Sequence, residues 1–227
     1  MIRAVPIKGE DFHPVFKSKA ALAALIPLGL VACSSPTGTI TDTGIVAVRS
    51  ACPAVAIPAA TGDITLFNPA SSRDASAIDV VANITNLRST CDETGDNIVT
   101  QVTFDVHAQR RDGRGAREVV IPYFAVAVQG GTQVQSKSVS RVGLSFPDGQ
   151  LRAGSRGQAT MQVTRAAVTL PEAVRQQITR RRKPGDPSAA IDPMADPAVR
   201  EAVRRASFEV LVGFQLTQDQ LAYNATR

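Results

Sequence analysis

The stretch that decides the fold is Gln101–Gln109, with the sequence QVTFDVHAQ. Its apolar residues are Val102, Phe104, Val106 and Ala108, and polar residues stand between and around them. Successive side chains of a β-strand point to opposite faces of the sheet. This strict period of two therefore predicts a strand with one face buried and the other in water.

The same alternation recurs in six further segments. In chain order they are Ile64–Phe67, Ile78–Ile84, Phe124–Val128, Val142–Phe146, Ala159–Val163 and Phe208–Leu216. Turns rich in Asp, Asn, Gly and Pro separate them. About seven short antiparallel strands divided in this way predict a mainly β fold, a β-sandwich. The architecture resembles immunoglobulin and fibronectin type III domains, although the Cys…Trp…Cys pattern of antibody domains is missing because the chain has no Trp.

The beginning of the chain has the layout of an export signal. Lys17 and Lys19 precede the apolar run Ala20–Ala32, with the sequence AALAALIPLGLVA. The run is too short to span a membrane, since a helix needs about 20 apolar residues to cross the hydrocarbon core. A basic segment followed by a short apolar one is typical of a secretory signal peptide, which we place at residues 1–32.

The apolar run ends in Leu30-Val31-Ala32-Cys33, followed by Ser34. This resembles the lipobox of bacterial lipoprotein precursors. The resemblance implies diacylglyceryl transfer to the Cys33 thiol, cleavage after Ala32, and acylation of the new N-terminus with chains such as palmitate. By the sorting rule of that family, Ser34 implies the outer membrane, with the protein facing the periplasm. The alternative is an ordinary secreted protein with a chance Cys near its cleavage site.

The exported chain would divide into an anchor and a domain. Residues 33–48 are rich in Ser, Thr and Gly, which predicts a lipidated Cys followed by a flexible tether, with an edge strand as the alternative. Residues 49–227 would form the β-sandwich domain. Cleavage removes four of the 25 basic and two of the 20 acidic residues, so the net charge falls from +5 to about +3. Export also excludes nucleic acid as a partner.

Cys52 and Cys91 remain once Cys33 carries lipid. The periplasm is oxidising, so we expect the two to form a disulfide. If the first two strands form an antiparallel hairpin that turns near Ser71–Ser72, the two cysteines face each other at its open end. Two free thiols, or thiols paired between molecules, are the alternative.

An insertion at residues 166–207 precedes the last predicted strand and carries two predicted helices. Thr169 is the predicted cap of the first, with Pro171 and Glu172 in its first turn. Asp196 is the predicted cap of the second. Apolar side chains recur at helical spacing in that helix, namely Val199, Ala202, Val203 and Ala206.

Four cations end the first predicted helix: Arg180, Arg181, Arg182 and Lys183. One interpretation is a solvated helix end, because cations complement the negative end of the helix dipole. The other is a binding site for an anionic partner, such as a phosphorylated lipid, an envelope polysaccharide or an acidic protein patch.

Residues suited to catalysis or metal binding are scarce. After cleavage His107 is the only His, with Asp105 beside it on the polar face of its strand, and the chain has no G-x-S-x-G motif. Asp92, Glu93 and Asp96 lack the full ligand set of a calcium loop, which favours an acidic turn. We therefore predict no catalytic residues, no metal site and no cofactor.

These features together predict a non-enzymatic lipoprotein of the cell envelope. It would be an accessory, assembly or structural subunit, anchored through its lipid and facing a protein partner in the periplasm. The alternative is a binding module for an anionic envelope lipid or polysaccharide that uses the cations at residues 180–183. A hydrolase with an unusual site at His107 and Asp105 is the least favoured hypothesis.

Overall fold

The computed structural model describes residues 39–41, 44–46, 50–180, 185 and 187–226. Its strands are β1 (Thr39–Thr41), β2 (Gly44–Val46), β3 (Ala54–Ala56), β4 (Asp63–Phe67), β5 (Ile78–Asp92), β6 (Asn97–Arg110), β7 (Arg117–Gln129), β8 (Gln133–Phe146), β9 (Arg152–Thr164) and β10 (Phe208–Phe214). Its helices are α1 (Arg165–Val168), α2 (Glu172–Thr179), α3 (Pro197–Arg205) and α4 (Gln218–Thr226). The predicted signal peptide at residues 1–32 lies outside the described residues, as do Cys33 and the cations Arg181, Arg182 and Lys183.

Eight strands form two four-stranded sheets. One has the order β3-β10-β7-β8 and the other the order β4-β5-β6-β9. Neighbours run antiparallel except for the parallel pair of β3 and β10. The predicted mainly β sandwich is confirmed, with one strand more than expected, because the three residues of β3 are too few to show alternation. Within the predicted tether, β1 and β2 pair with each other in a separate two-stranded ladder.

Strand β6 supplies the middle of the core. Its buried side chains are Ile98, Thr100, Val102, Phe104, Val106, Ala108 and Arg110. The residues between them are exposed or half-buried, so the predicted alternation is confirmed and extends over the whole strand. The ring of Phe104 meets that of Tyr123 edge-on, with ring centres 5.1 Å apart. Tyr123 Oη donates to the Gln158 carbonyl oxygen at 2.6 Å, which connects β7 of one sheet to β9 of the other.

The side chains of β7 that point into the core are not the ones that were expected to do so. The pattern Phe124-Val126-Val128 suggested that the even-numbered side chains point inward. In the structure the odd-numbered side chains do, namely Val119, Ile121, Tyr123, Ala125 and Ala127. The prediction was wrong because this strand is apolar on both faces, so alternation does not identify its inner side.

Helix α3 accounts for the second apolar face of β7. Five buried side chains stand outside the principal core: Val126, Val128, Val199, Ala202 and Ala206. The end of the helix is bound to the end of the strand, since Gln129 Nε2 donates to the Arg205 carbonyl oxygen at 2.7 Å. The Gly130 N–H likewise donates to the Ser207 carbonyl oxygen at 2.9 Å. We infer that the five side chains form a second layer outside the sandwich.

The two predicted helices of the insertion are present, but only one has the predicted cap. Asp196 Oδ1 accepts the Ala198 N–H at 2.8 Å and caps α3. Thr169 does not cap α2, which begins at Glu172. Its hydroxyl instead donates to the Arg165 carbonyl oxygen at 2.7 Å, because Thr169 ends the short helix α1 that the sequence did not reveal.

Cys52 and Cys91 form the predicted disulfide, with Cα atoms 6.1 Å apart. The predicted hairpin is present, since β4 pairs antiparallel with β5, but it does not extend back to Cys52 as expected. Strand β4 pairs with β5 in the register Ile64 to Ala82, and the segment that contains Cys52 leads into β3 of the other sheet. The bond therefore connects the two sheets, at the end of the sandwich where β5 turns into β6.

Arg110 lies at the end of the sandwich opposite the disulfide, and it is 2% exposed. Two turns cross between the sheets there, at residues 111–116 and 147–151. The guanidinium donates to carbonyl oxygens of both turns, those of Gly113 (2.6 Å), Gly115 (2.8 Å), Pro147 (3.0 Å) and Gln150 (2.8 Å). It also lies over the Phe146 ring, 5.3 Å from its centre. These acceptors offset the cost of removing the cation from water.

Helix α4 covers the edge strand β4. The Tyr223 ring meets that of Phe67 edge-on, with centres 5.2 Å apart. Asn224 Nδ2 donates to the carbonyl oxygens of Ala60 and Asp63 at 3.0 and 2.8 Å. Helix α4 is therefore part of the folded domain.

We predict that the C52A/C91A variant loses about 3–4 kcal/mol of the free energy of unfolding. The bond joins residues 39 apart in the chain, and closing a loop of that length restricts the unfolded chain by about this amount. Urea unfolding followed by circular dichroism measures the loss, and wild-type protein in reducing agent is the control that should match the variant. A loss below about 1 kcal/mol would contradict the assignment of the disulfide as a structural bond between sheets.

Arg110→Met should lower the free energy of unfolding by at least about 3 kcal/mol, because four carbonyl oxygens lose their common donor. Arg114→Met is the matched control. Arg114 lies in the same turn, its side chain is 91% exposed, and it pairs with Asp112, so its loss should stay below about 1 kcal/mol. Equal losses for the two variants in urea unfolding would show that the carbonyl contacts of Arg110 do not hold this end together.

Candidate functional site

Three predicted site residues that the structure describes lie on two separate parts of the molecule. Arg180, the described member of the cation cluster, is exposed and directly follows α2. Asp105 and His107 lie on the outer face of the sheet that contains β6, as predicted. The cation cluster and the His107 region are thus separate candidates, and each is considered by itself.

Around Asp105 a polar network crosses three strands. Its Oδ2 accepts from Asn86 Nδ2 at 2.7 Å, and its Oδ1 accepts from Arg156 Nε at 3.4 Å. Arg88 Nε in turn donates to Asn86 Oδ1 at 2.9 Å. The network therefore runs from β5 through β6 to β9.

A bulge in β5 positions Asn86 for this contact. The register of β5 against β6 shifts between Thr85 and Arg88, and Asn86 has a φ of 51°. Among residues with a side chain, Asn is one of the few that tolerate this left-handed conformation. Neither Asn86 nor Arg156 was among the residues predicted from the sequence. The signal available was an Asn inside an otherwise regular strand pattern, a position where that residue is uncommon.

The network keeps Asp105 ionised. The hydrogen bond from Asn86 contributes most to lowering the pKa of Asp105, and the Arg156 guanidinium and the charge of His107 lower it further. A carboxylate whose pKa is depressed is a weaker proton acceptor. The geometry therefore favours a structural, electrostatic role for Asp105 over proton transfer to or from His107.

An open depression lies beside His107 on the same face. Its lining includes Asp63, Val81, Asn83, His107, Gln109 and Arg152. The walls offer an imidazole, amides and a guanidinium, which could hold a polar ligand. The depression is a shallow part of a sheet surface, since His107 and Arg152 are both exposed.

The acidic loop after Cys91 is bound to its own neighbours. Asp92 Oδ1 accepts from the Thr94 N–H at 3.0 Å and from its hydroxyl at 2.7 Å, which together lower the pKa of Asp92. Glu93 Oε2 accepts from the Ala51 N–H at 3.2 Å. Arg165 donates to carbonyl oxygens of the loop, including that of Gly95 at 2.8 Å. These contacts support an acidic turn that fastens the chain near the disulfide.

The carboxylates of the insertion pair with arginines in their own helices. Glu172 binds Arg175 in α2, and Glu201 binds Arg204 at 2.8 Å in α3. The hydrogen bonds from these arginines lower the pKa of both carboxyl groups. Both carboxylates are therefore engaged within their own helices.

Within the described ranges, no cluster of three or more His, Cys, Asp or Glu side chains is arranged to hold a metal ion. No helix in the part of the chain that the structure describes is both long and apolar enough to cross a membrane. No protein-family model matches the chain, and neither the curated proteins nor the solved structures compared with it gave a match.

Replacing Asn86 by Ala should raise the pKa of Asp105 towards its ordinary value, because the strongest stabilising hydrogen bond is lost. The depressed pKa stabilises the folded protein above the pKa of the unfolded chain, and this stabilisation disappears as the pH falls through the folded value. A carboxyl-carbon NMR titration measures the shift. Arg156→Gln is the comparison, with a smaller expected rise, and an unchanged midpoint in N86A would refute the network.

Proposed function

We propose that this protein is a non-enzymatic lipoprotein of the bacterial envelope. Cys33 carries the lipid, residues 1–32 are removed as a signal peptide, and the β-sandwich faces the periplasm from the outer membrane. In that position the domain acts as an accessory, assembly or structural subunit of an envelope complex. The proposal combines the lipobox-like sequence Leu30-Val31-Ala32-Cys33 with the properties of the folded domain.

The observation that carries the proposal is the disulfide between Cys52 and Cys91. Disulfides form and persist in oxidising compartments such as the periplasm and are rare in the cytosol. This one joins the two sheets of the sandwich. A domain that depends on such a bond is suited to the compartment to which a lipobox sequence directs it.

The polar groups of the domain support a binding role over a chemical one. Asp105, Asp92, Glu172 and Glu201 are each occupied by hydrogen bonds from neighbouring residues. These contacts fix surface side chains and hold the carboxylates ionised, which suits recognition of a partner by shape and charge.

A second candidate function is binding of an anionic envelope lipid or polysaccharide through Arg180 and the following cations at 181–183. The observation that favours it is the exposure of Arg180, which directly follows α2. Such binding would weaken as salt is added, because it depends on exposed charges.

Replacing Cys33 by Ser should abolish lipid attachment, because the hydroxyl does not substitute for the thiol in forming the thioether. Cells that make the wild type are given labelled palmitate, and the membrane and soluble fractions are compared with those of C33S. The wild type should carry label and sediment with membranes, whereas C33S should do neither. C52A/C91A is the control and should be labelled, since it keeps Cys33. A wild type that stays unlabelled and soluble would overturn the proposed anchor.

Cross-linking in the same cells tests the role of the anchored domain. The wild type should be recovered with an envelope protein, and C33S with less of it, because an unanchored domain is diluted through the periplasm. The second candidate would be established instead if lipid or polysaccharide is recovered. Its recovery must then fall with added salt and be lost when residues 180–183 are replaced by Ser. Recovery of neither kind of partner would contradict both functions.

A further inference from the structure

The free edges of the two sheets differ in how far they are available to another chain. The edge strands are β3, β4, β8 and β9. Strand β3 has three residues, and β4 has five and is covered by α4. Strand β9 exposes mainly every second residue. In β8, by contrast, nine successive residues, Gln133–Arg141, are exposed.

This exposure affects both faces of β8. Ser136, Ser138 and Ser140 pair with Ala127, Ala125 and Tyr123, whose side chains point into the core. The three serines thus share the inner face of the sheet, yet all three are exposed. Farther along, the same face of β8 is buried in the core at Val142, Leu144 and Phe146.

The outer face of this exposed part carries an apolar side chain between two cations. Val139 is 58% exposed and pairs with Phe124, while Lys137 and Arg141 lie two residues to either side. The Lys137 ammonium lies over the Phe124 ring, 5.2 Å from its centre. Residues 133–141 contain no Asp, Glu or Pro. A long edge without such residues is a template for another strand, even though Lys at an edge opposes indiscriminate pairing.

We propose that Gln133–Arg141 binds an extended acidic segment of another envelope protein as a fifth strand of the sheet. Backbone hydrogen bonds along the edge would hold the segment in place. Its side chains at alternate positions would be acidic, apolar and acidic, and would face Lys137, Val139 and Arg141. This inference deepens the proposed function and rests on it only for the compartment in which the partner is found.

The positive charges on β8 favour a different protein as the partner over a second copy of this chain. If Val139 paired with itself in an antiparallel arrangement, Lys137 of each copy would face Arg141 of the other. In a parallel arrangement Lys137 would face Lys137, and Arg141 would face Arg141. Like charges directly opposite each other across two strands are destabilising. An acidic segment converts both repulsive pairs into attractive ones.

The test uses the full chain as cells export it, purified in detergent, and two fluorescent peptides, read by fluorescence anisotropy. One peptide has the palindromic sequence Ser-Glu-Ser-Val-Ser-Glu-Ser, which can pair in either direction, and the other has Lys in place of both Glu residues. The acidic peptide should bind about tenfold more tightly, since two cross-strand ion pairs replace two like-charge pairs. The K137E/R141E variant should reverse this preference.

The matched control is R114E/R200E, which makes the same change of net charge at exposed positions outside residues 133–141 and should keep the original preference. Hydrogen exchange should show that the acidic peptide protects amides of residues 133–141. Failure of both peptides to bind, or a preference that K137E/R141E does not reverse, overturns the inference.

Other outcomes separate the competing occupants and the two proposals. Concentration-dependent dimers in sedimentation, lost in K137E/R141E, would assign the edge to a second copy and refute the acidic partner. If the peptides fail while cross-linking still recovers an envelope protein, the proposed function stands and this surface is wrong. If the peptides bind as expected but Cys33 carries no lipid, the edge is a binding site and the proposed anchor is wrong.

Discussion

Two turns carry the chain between the sheets at one end of the sandwich, and the Arg110 guanidinium donates to carbonyl oxygens of both. The position of this cation is a consequence of strand geometry. From Ile98 to Arg110 every second side chain of β6 points between the sheets, so the last inward position is occupied by a charge that must find acceptors. The Cys52–Cys91 bond joins the sheets at the other end of the same strand. The sandwich is thus fixed at both ends of its central strand.

The sequence identifies elements well where one face is polar and poorly where both faces are buried. Strand β6 alternates strictly, and both its existence and its inner face could be predicted. Strand β7 is apolar on both sides because α3 covers its outer face, so its existence was predictable and its orientation was not. The disulfide could be predicted from the number of cysteines and from the compartment. Its geometry could not, because Cys52 is positioned by the parallel pairing of β3 with β10, which joins residues about 155 apart in the chain.

The network around Asp105 was beyond prediction for a related reason. Asp105 and His107 could be placed on a polar strand face because alternation fixes the face. The partners Asn86 and Arg156 are set by a bulge in β5 and by the register of β9, which depend on long-range pairing. The same limit applies to the edge strands. Alternation reveals a strand, whereas only the strand order shows that β8 is an edge. The exposure of its first nine residues is likewise visible only in the structure.

In the proposed function, one modified residue, Cys33, holds the folded domain at a membrane. The most direct test is the intact mass and N-terminal peptide of the protein purified from the membranes of a bacterium that produces it. We expect a chain that begins at Cys33 and carries a diacylglyceryl thioether and an N-acyl group. A chain that begins elsewhere, or an unmodified Cys33, would contradict it.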